Sequence, residues 1–469
     1  MQPGKLLNRH RKQKKETGFY DVVVIGSGSG MQAVENAVEA GLRTALVDNG
    51  PAGGTCLNLG CIPSKMLIAA ADRVMEIREA QRFAISAGIS GIDFKKIMAG
   101  MKQAVVPDHE QIHQGLKDST GFDYYEGVGR FTGDMALEIN SRQISGKTFF
   151  IASGARPVIP DIAGLESTDF LTSSTVLDLE ELPESLAIIG GGYIAAEYAH
   201  FFEAMGTRVT IFQNQKRLVP AEEPEISDTL ADALSERISI KTDVTVDRVN
   251  QNNNSIEISF RQNDSGANSS LTAERVLVAA GRKSNADRLS VEKTGVKTDE
   301  NGYIKTDDYL ETSRKGIWAF GDANGKSMFT HAANAEAAQA WENATGKEKR
   351  KFDYTAVPRA IFTWPPIASV GLKEAEAKKS HDVMVGTAGY NQCAMGMALR
   401  EKKGFAKAIL DRKSLELLGF HIIGPHAPIV IQEVVNAMAA GRRPGLILSG
   451  MHIHPALNEL IMKTFSALK

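Results

Sequence analysis

The chain contains one local pattern twice, and this repetition limits its fold more than any other feature of the sequence. The first copy starts with the apolar, β-branched stretch FYDVVVI at 19–25, continues through GSGSG and a helical stretch, and ends in TALVD at Asp48. The second copy starts about 165 residues later with SLAII and passes through GGGYIAAEYAHFFEAMG to RVTIFQ. Each copy predicts a βαβ unit with a glycine-rich turn after its first strand. Two separate dinucleotide-binding sites are the simplest explanation.

The glycine-rich turn of the first copy has the composition of a pyrophosphate-binding loop. Gly26, Gly28 and Gly30 let the backbone approach a phosphate, and the following helix offers unpaired N–H groups and its positive dipole end. Asp48 lies 22 positions after Gly26, where a carboxylate can accept hydrogen bonds from a ribose. Met31 occupies the position at which the fingerprint has Gly or Ala. We therefore expect the helix to pack on its strand more loosely or in a different arrangement.

The turn of the second copy is closer to the common fingerprint. Its G-x-G-x-x-A form is filled by Gly190, Gly192 and Ala195. The second strand ends at Gln213, where an NAD-selective site has Glu or Asp, and two cations follow at 216 and 217. Either the cations bind the 2′-phosphate of NADP, or Gln213 bonds the ribose of NAD and the cations are merely solvated. The sequence slightly favours tolerance of NADPH.

Composition places the chain among intracellular globular proteins. Of its 469 residues, 43% are hydrophobic and 23% are charged, and the net charge of −2 predicts no general attraction to nucleic acid or membranes. Three cysteines are too few for a disulfide framework, and no apolar stretch is long enough to cross a bilayer, so we expect a cytoplasmic protein. The basic segment 1–18 is expected to be a solvated tail, with a transit peptide as the alternative.

Two of the three cysteines, Cys56 and Cys61, lie five positions apart in GGTCLNLGCIPSKM. The spacing fits neither a CxxC redox helix nor a zinc site, and we expect no metal. A disulfide needs Cα atoms roughly 4.4–6.8 Å apart, whereas residues i and i+5 of a regular helix are about 8–9 Å apart. The two cysteines can therefore form a bridge only where the segment leaves regular helix, which Asn58 and Gly60 favour. A small reducible disulfide and a pair of buried apolar side chains both fit the pattern.

The remaining segments predict helices between the two units and a further domain towards the C-terminus. The stretch 69–117 is typical of long helices, and the alternating arms of 246–260 predict a hairpin that turns at an Asn run. After about residue 350 the strand-like segments AIFTWPPIASVGL, GFAKAILD and LELLGFHIIG are followed by helices from Pro428 onward. We interpret this part as an α+β domain.

The segment MHIHPALNEL contains a candidate base. His454 and Glu459 have the composition of an imidazole and the carboxylate that orients it. A structural role for His454 is the alternative. A redox-active thiol elsewhere in the chain would favour the role of base for His454, because such chemistry moves protons to and from sulfur.

Several motifs in this order resemble those of the class I pyridine nucleotide–disulfide oxidoreductases, which are flavoprotein disulfide reductases. The match extends from Tyr20 to Phe465. GGTCLNLGCIPSK is similar to the redox-active disulfide motif, and AFGDAN is similar to the second FAD motif. IASGARP, with Ser153 in place of Thr, and LVAAGRKSN resemble the two connectors of the family. FTWPPIASVGL resembles the start of the dimerisation domain, and HPALNE resembles the H-P-x-x-x-E motif.

The resemblance implies an α/β fold with two Rossmann-like dinucleotide-binding domains, for FAD and NAD(P), and a C-terminal α+β dimerisation domain. We expect a tail at 1–18, a discontinuous FAD-binding domain at 19–155 and 283–350, an NAD(P)-binding domain at 156–282 and a dimerisation domain at 351–469. The implied partners are a disulfide substrate and a second copy of the chain, in an obligate homodimer that shares its active sites between subunits. We expect neither a cysteine-bearing C-terminal tail nor a lipoyl-carrying domain.

The resemblance also implies roles for individual residues. Cys56 is the interchange thiol that attacks substrate sulfur, and Cys61 is the thiolate beside the flavin. His454, reaching the thiols across the dimer, is the base, and Glu459 holds its imidazole. Lys65 and Glu197 resemble the ion pair beside the flavin ring, Tyr193 resembles the residue that gates the nicotinamide pocket, and Asp322 is the implied ligand of the ribityl chain. The implied cofactor-binding residues are Gly26, Gly28, Gly30, Asp48, Gly54, Thr55, Ser153, Gly154, Gly190, Gly192, Tyr193, Gln213, Gly281, Arg282 and Asp322.

Within the family, CLNLGCIPSK and HIHPALNE are most similar to dihydrolipoamide dehydrogenase, and we expect that activity. Mycothione reductases are similar at both motifs and also depart from the first glycine fingerprint. An NADPH-dependent reductase of a small disulfide, of the mycothione or glutathione type, is therefore the alternative. A flavoprotein transhydrogenase or oxidase without a disulfide leaves both motifs unexplained, and a binding protein without activity leaves the complete nucleotide motifs unexplained.

Overall fold

The computed structural model describes residues 18–253 and 255–469. The predicted basic tail lies, except for Gly18, outside the described residues. The chain divides into two compact units. Of the described residues, the first unit comprises 18–63, Gly100–Pro157 and Arg282–Phe352. The second unit comprises Ser64–Ala99, Val158–Gly281 and Asp353–Lys469.

The strands are numbered in chain order. They are β1 Phe19–Ile25, β2 Thr44–Asp48, β3 Asp123–Glu126, β4 Arg130–Gly133, β5 Ala136–Ile139, β6 Arg142–Ile151, β7 Ala155–Pro157, β8 Leu171–Thr172, β9 Ser185–Ile189, β10 Arg208–Phe212, β11 Ser239–Lys241, β12 Val244–Asn252, β13 Ser255–Gln262, β14 Asn268–Ala273, β15 Arg275–Val278, β16 Arg282–Ser284, β17 Ile317–Ala319, β18 Pro358–Ile361, β19 Ile367–Gly371, β20 Val383–Gly389, β21 Phe405–Asp411 and β22 Leu417–Ile423.

The α-helices are numbered in the same way. They are α1 Met31–Glu39, α2 Gly54–Asn58, α3 Cys61–Glu79, α4 Phe94–Lys117, α5 Tyr193–Met205, α6 Pro224–Ser235, α7 Ala286–Leu289, α8 Thr330–Thr345, α9 Glu374–Ala377, α10 Ala394–Ala398, α11 Ala427–Val430, α12 Gln432–Ala439, α13 Gly445–Leu448 and α14 Glu459–Ser466. Short 3₁₀ segments lie at Ala80–Phe83, Leu165–Ser167, Thr175–Asp178, Val291–Thr294, Gly321–Ala323 and Tyr390–Gln392.

The first unit is built on a seven-stranded sheet in the order β3-β2-β1-β6-β5-β4, with β17 also pairing with β6. Strand β1 is parallel to both β2 and β6, and its residues Val22, Val23 and Val24 are buried. Because apolar side chains cover both faces of this strand, its sequence is a continuous apolar run rather than an alternating one. Helices α1 and α8 pack on one face through Val34, Ala37 and neighbouring residues.

The second unit contains a five-stranded parallel sheet in the order β11-β10-β9-β15-β8 and a three-stranded antiparallel sheet of β12, β13 and β14. The predicted hairpin at 246–260 is confirmed as β12 and β13. The polar segment after it forms β14, which pairs with β13 and extends the hairpin into a three-stranded sheet. Its sequence NSSLTA has a weak strand signal, since most of its side chains are exposed at the edge of the sheet.

The second unit also contains a five-stranded antiparallel sheet in the order β18-β19-β22-β21-β20. Helices α11 to α14 follow it, and Phe420, Leu460 and Phe465 contribute to their shared core. The predicted α/β fold with two dinucleotide-binding folds and a C-terminal α+β part is confirmed. Within the two described ranges, the structure contains no helix with the length and apolar character needed to cross a membrane.

Candidate active site

The two cysteines of the CLNLGC segment lie on either side of a break between two helices. Cys56 is half-buried in α2, and Cys61 is the exposed first residue of α3. The break falls at Leu59, whose φ of −134° and ψ of 10° are not helical. Asn58 fixes the turn, because its side-chain amide donates to the carbonyl oxygens of Ala52 (2.9 Å) and Gly54 (2.8 Å). The segment therefore leaves regular helix where the spacing of the cysteines predicted it.

The electrostatics of the pair distinguish the two sulfurs. The pKa of the Cys56 thiol is raised, mainly by its hydrogen bond with Cys61 and next by burial. Cys61 begins a helix of 19 residues, whose N-terminal dipole end favours an anion. Of the two sulfurs, Cys61 is therefore the one whose position at a helix N-terminus favours negative charge.

The first glycine-rich turn packs against the backbone of the cysteine segment. Gly26 has a φ of 109°, and a Cβ at this residue would overlap the carbonyl oxygen of Ala152. A Cβ on Gly54 would lie only 2.8 Å from the Cα of Gly28, and Gly53 N donates to Ser27 Oγ at 3.0 Å. Because glycines meet at this point, the backbone of the turn and that of the cysteine segment lie in direct contact.

At Met31 we expected α1 to pack on its strand more loosely or in a different arrangement, and the structure shows the packing there. Met31 is half-buried at the edge of the core formed by α1. Gly30 takes the close approach instead: a Cβ on it would overlap the carbonyl oxygen of Gly26 and lie 3.0 Å from Val24 Cγ1. The arrangement is therefore different rather than looser, since the small residue stands one position earlier than in the common fingerprint.

Gly30→Ala is expected to displace this turn and weaken FAD binding by about tenfold, because overpacking of this kind costs about 1–3 kcal/mol. The measurement is FAD dissociation followed by the recovery of flavin fluorescence. Gly115→Ala in α4 is the matched control, because its Cβ would meet open space. Equal FAD affinity of the Gly30→Ala variant and the control would contradict the role of this turn.

Asp48 is positioned at the same turn. Its carboxylate accepts hydrogen bonds from the backbone N–H groups of Ser27 and of Gly50, the latter at 2.5 Å. Both contacts orient the half-buried carboxylate towards the glycine-rich turn, where it can accept a ribose hydroxyl.

The connector residues supply polar atoms that fit a bound cofactor. Within the described ranges, Ser153 Oγ and Arg282 Nε are buried and have no hydrogen-bond partner. Arg282 lies 3.5 Å from a carboxylate oxygen of Asp322, and burial, opposed by Arg282, raises the pKa of that carboxyl group. Asn285 holds the Ser153 carbonyl at 2.8 Å, and Gly154 follows with a φ of 67°. The unsatisfied Ser153 hydroxyl, with the glycine turn and Asp48, fits the hydroxyl-rich chain and pyrophosphate of FAD. Thr55 is exposed.

The second glycine-rich turn repeats the geometry of the first. Gly190 has a φ of 110°, and a Cβ there would overlap the carbonyl oxygen of Ala279. Gly192 caps α5, whose first residue is the half-buried Tyr193. Gly281 has a φ of 126°, and its carbonyl accepts a hydrogen bond from Val158 at 2.9 Å. The turn thus presents the N-terminus of a helix of 13 residues to a pyrophosphate.

The side chain of Gln213 makes a hydrogen bond within the loop that follows β10. It is buried, with 4% of its surface exposed, and its Nε2 donates to the carbonyl oxygen of Arg217 at 3.1 Å. The Arg217 guanidinium pairs with Asp228 at 2.8 Å, and Lys216 is exposed. The position therefore carries no carboxylate that would repel a 2′-phosphate.

Lys65 and Glu197 form an ion pair in the second unit. Lys65 Nζ lies 2.7 Å from Glu197 Oε2 and 4.8 Å from the centre of the Phe362 ring. The buried Glu197 also accepts the Phe362 backbone N–H at 3.0 Å. These contacts hold a cation at a fixed position on α3.

His454 and Glu459 form the predicted pair. His454 Nδ1 lies 2.9 Å from Glu459 Oε1, and Ala456 N donates to the second carboxylate oxygen at 3.2 Å. The hydrogen bond with His454, followed by that from Ala456, lowers the pKa of Glu459. The His454 side chain is 72% exposed. The carboxylate thus fixes the ring through Nδ1, so that Nε2 is the nitrogen available to a reacting group.

Two residues near the cysteines and the FAD motifs were not predicted from the sequence. Thr330 Oγ1 lies 3.7 Å from Cys61 Sγ. Glu336 is fully buried in α8, and its Oε2 accepts hydrogen bonds from Gly321 N (2.5 Å) and Asn324 Nδ2 (3.2 Å). The only signal for Glu336 is a carboxylate in an alanine-rich helix, and Thr330 gives no signal because it is 269 residues from Cys61.

Comparison with known proteins gives concordant matches. The family model described as pyridine nucleotide-disulphide oxidoreductase matches residues 20–337, and the model for the dimerisation domain of the same family matches 357–465. A mercuric reductase of Staphylococcus aureus is 36% identical over 428 residues, covering 90% of this chain and 78% of that protein. The dihydrolipoyl dehydrogenase of Bacillus subtilis (strain 168) is 34% identical over 459 residues, covering 94% and 96%.

Two further comparisons extend over nearly the whole chain. A mycothione reductase of Mycobacterium tuberculosis (strain H37Rv) is 34% identical over 465 residues, covering 96% of this chain and 99% of that protein. Among solved structures, a Cu(II) complex of the HOCl-induced flavoprotein disulfide reductase RclA from Escherichia coli superimposes with a TM-score of 0.84 at 28% identity, covering 96% of this chain and 99% of that chain.

Proposed function

Because the chain belongs to the pyridine nucleotide–disulphide oxidoreductase family, we propose that it transfers electrons between NAD(P) and a dithiol or disulfide substrate through FAD and the pair Cys56–Cys61. One observation carries the proposal: the two thiols are hydrogen-bonded to each other across a helix break, in a segment packed on the first glycine-rich turn. The third cysteine, Cys393, is buried in another sheet core. The redox role therefore falls on Cys56 and Cys61.

The proposed division of the chain follows its motifs. The FAD-binding domain comprises 19–155 and 283–350, the NAD(P)-binding domain comprises 156–282, and the dimerisation domain comprises 351–469. Bound FAD would supply two-electron exchange with both the nicotinamide and sulfur. The chain's contribution is to bind it: we assign Asp48 to a ribose, the first glycine-rich turn to the pyrophosphate, and Asp322 to the ribityl chain.

The sulfur chemistry is carried by the chain's own residues. In disulfide reduction, His454 takes the proton of the Cys56 thiol, and the resulting thiolate attacks one substrate sulfur. The substrate S–S bond breaks, and the leaving sulfur takes that proton from His454. The Cys61 thiolate then attacks Cys56 Sγ, which forms the Cys56–Cys61 disulfide and releases the second substrate sulfur, and this sulfur takes a proton from solvent. The substrate gains two electrons, and the nicotinamide nucleotide returns two electrons to the pair. Oxidation of a dithiol substrate is the reverse sequence.

We assign the remaining predicted residues to supporting roles. Lys65 and Glu197 correspond to the ion pair that the family has beside the flavin ring. Lys65 is its cation, and Glu197 fixes the position of Lys65. Tyr193, at the start of α5, covers the nicotinamide pocket. Both assignments rest on the resemblance, and the structure supports them by placing Lys65 in a tight ion pair and Tyr193 at the N-terminus of the nucleotide-binding helix.

We further propose a homodimer in which His454 serves the thiols of the partner subunit. The chain carries a match to the family's dimerisation domain, and five large apolar side chains between positions 429 and 453 are exposed. They are Ile429, Leu446, Leu448, Met451 and Ile453. Such a concentration of exposed apolar side chains is typical of an interface between subunits.

Dihydrolipoamide is the substrate we propose, and the cytoplasm is the location. The identity to dihydrolipoyl dehydrogenase and the motif CLNLGCIPSK support the substrate. A reductase of mycothione or glutathione type is the second candidate, supported by a mycothione reductase of equal identity that aligns over 99% of its length. The small number of cysteines supports the location.

A substrate panel tests this proposal. Steady-state rates of the FAD-loaded protein are measured with NADH and NADPH against lipoamide and the disulfides of glutathione, mycothiol and bacillithiol. We expect kcat/KM for lipoamide to exceed the others by at least about tenfold. We also expect NADPH to be used within about tenfold of NADH, because no carboxylate stands at Gln213.

Each other outcome of the panel has a defined meaning. Highest kcat/KM with mycothiol disulfide would replace the lipoamide proposal by the second candidate. Absence of turnover with every disulfide would contradict the disulfide-reductase function. Hg(II) is included in the panel because the similar protein of Staphylococcus aureus is named mercuric reductase, whereas that of Bacillus subtilis is named dihydrolipoyl dehydrogenase.

A further inference from the structure

A side-chain hydroxyl lies beside both thiols of the proposed redox pair. Thr330 Oγ1 is 3.7 Å from Cys61 Sγ, within the range of a hydrogen bond to sulfur. The same hydroxyl hydrogen-bonds to Cys56 and lowers the pKa of that thiol, against the larger opposite effects of Cys61 and burial. One donor group therefore reaches both sulfurs.

The position of Thr330 is fixed by the segments that form the predicted FAD site. Thr330 is the first residue of α8, a helix of 16 residues. One turn further along α8, Asn334 Oδ1 accepts a hydrogen bond from Ser29 Oγ of the glycine-rich turn at 2.7 Å. The buried Glu336 holds the backbone of Gly321 at 2.5 Å. Because α8 is held at these points, its first hydroxyl has a defined place beside the cysteines.

We propose that the Thr330 hydroxyl is a further catalytic residue, a shared hydrogen-bond donor that stabilises whichever sulfur of Cys56 and Cys61 carries negative charge. This inference rests on the proposed function, because charge passes from one sulfur to the other only during thiol–disulfide exchange. A hydroxyl rotates about its Cβ–Oγ bond, so its single proton can follow the charge without movement of α8. Hydrogen bonds to an anion are about twice as strong as those between neutral groups, so the donor favours thiolate over thiol.

Single-cysteine variants isolate each sulfur for the test. Cys61→Ala leaves Cys56 beside Thr330, and Cys56→Ala leaves Cys61 there. The rate of alkylation by iodoacetamide is measured against pH in each variant, with and without Thr330→Val. We expect Thr330→Val to move the midpoint of the profile upward by about one pH unit in both backgrounds, because thiolate is the reactive form. The double variant lacking both cysteines gives the background from the buried Cys393.

Two controls separate the hydroxyl from the shape of the side chain and from the helix. Thr330→Ser keeps the hydroxyl and is expected to keep both midpoints. Thr345→Val makes the same substitution at the last residue of α8, where the hydroxyl bonds only within the helix to Trp341, and is also expected to leave them unchanged. Where Thr330→Val lowers FAD content or the melting temperature, Thr330→Ala is measured in its place and is expected to give the same upward shift.

The outcomes distinguish this inference from the proposed function. Unchanged midpoints after removal of the hydroxyl overturn the role of Thr330, even where the wild-type protein reduces disulfides. A shift in only one background assigns the donor to that sulfur alone and overturns the shared role. Alkylation needs neither nucleotide nor disulfide substrate, so a failure of disulfide turnover in the panel leaves the two expected shifts as they are.

Discussion

Replacing Cys56 with Ser is expected to reduce the turnover of every disulfide substrate by at least about 10³-fold, because a hydroxyl cannot replace the thiolate that attacks sulfur. We assign Cys56 the role of the exchanging thiol because the resemblance of the CLNLGC segment to the family's redox motif implies it. Oxidation of NADH by ferricyanide requires FAD but no thiol exchange, so we expect the variant to keep it. The two assays are measured on the same FAD-loaded sample.

The third cysteine supplies the matched control for this substitution. Cys393 is buried, and its Sγ donates to the carbonyl oxygen of Tyr390 at 3.2 Å, a hydrogen bond that Ser can also make. Cys393→Ser is therefore expected to keep disulfide turnover within about twofold. If Cys56→Ser retains the turnover of dihydrolipoamide, Cys56 is not the interchange thiol.

His454→Gln is expected to lower disulfide turnover by about 10²–10⁴-fold, the usual contribution of a general acid or base. Gln keeps a hydrogen-bonding side chain of similar length but cannot carry the proton between sulfur and solvent. Glu459→Gln keeps His454 and weakens only its orientation, so a smaller loss, about tenfold, is expected. Oxidation of NADH by ferricyanide should be unchanged in both variants.

A second histidine–glutamate pair in the same segment controls for general damage. His452 Nε2 lies 2.9 Å from Glu433 Oε1, but its side chain is only 10% exposed. Since most of this ring is covered and its Nε2 is already bonded to Glu433, His452→Gln is expected to keep turnover within about threefold. A loss in His452→Gln as large as that in His454→Gln would assign the effect to folding of the C-terminal segment rather than to proton transfer.

The parts of the fold that could be predicted from the sequence are those in which local signals and tertiary packing agree. β1 and β2 have the predicted bounds, Phe19–Ile25 and Thr44–Asp48, because short apolar runs bounded by glycine and polar residues are buried on both faces. Strand β20 was missed, since VMVGTAG contains two glycines and lies at the edge of its sheet.

The candidate site was predictable where a motif carries it and unpredictable where only the fold does. The break between Cys56 and Cys61 agrees with the weak helix formers Asn58 and Gly60. The redox role of the two cysteines comes from the motif and not from their spacing, which two buried apolar side chains also fit. Thr330 becomes adjacent to Cys61 only because α8 packs near the glycine-rich turn, and no local pattern marks it. The fingerprint has a small residue at the position of Met31, but in this chain Gly30 makes the close contact with the strand. This shift by one position depends on backbone contacts that the sequence does not display.

The most direct measurement is the absorbance spectrum of the purified, FAD-loaded protein during anaerobic reduction by two electrons per subunit. A disulfide reductase of this kind keeps its FAD oxidised and places the charge on Cys61, so a long-wavelength charge-transfer band between that thiolate and the flavin should appear. Cys56→Ser should show such a band from Cys61 without added reductant, and Cys61→Ser should not show it. Direct bleaching of the flavin by two electrons, with no charge-transfer band at any stage, would contradict the role of Cys56 and Cys61 as the redox pair.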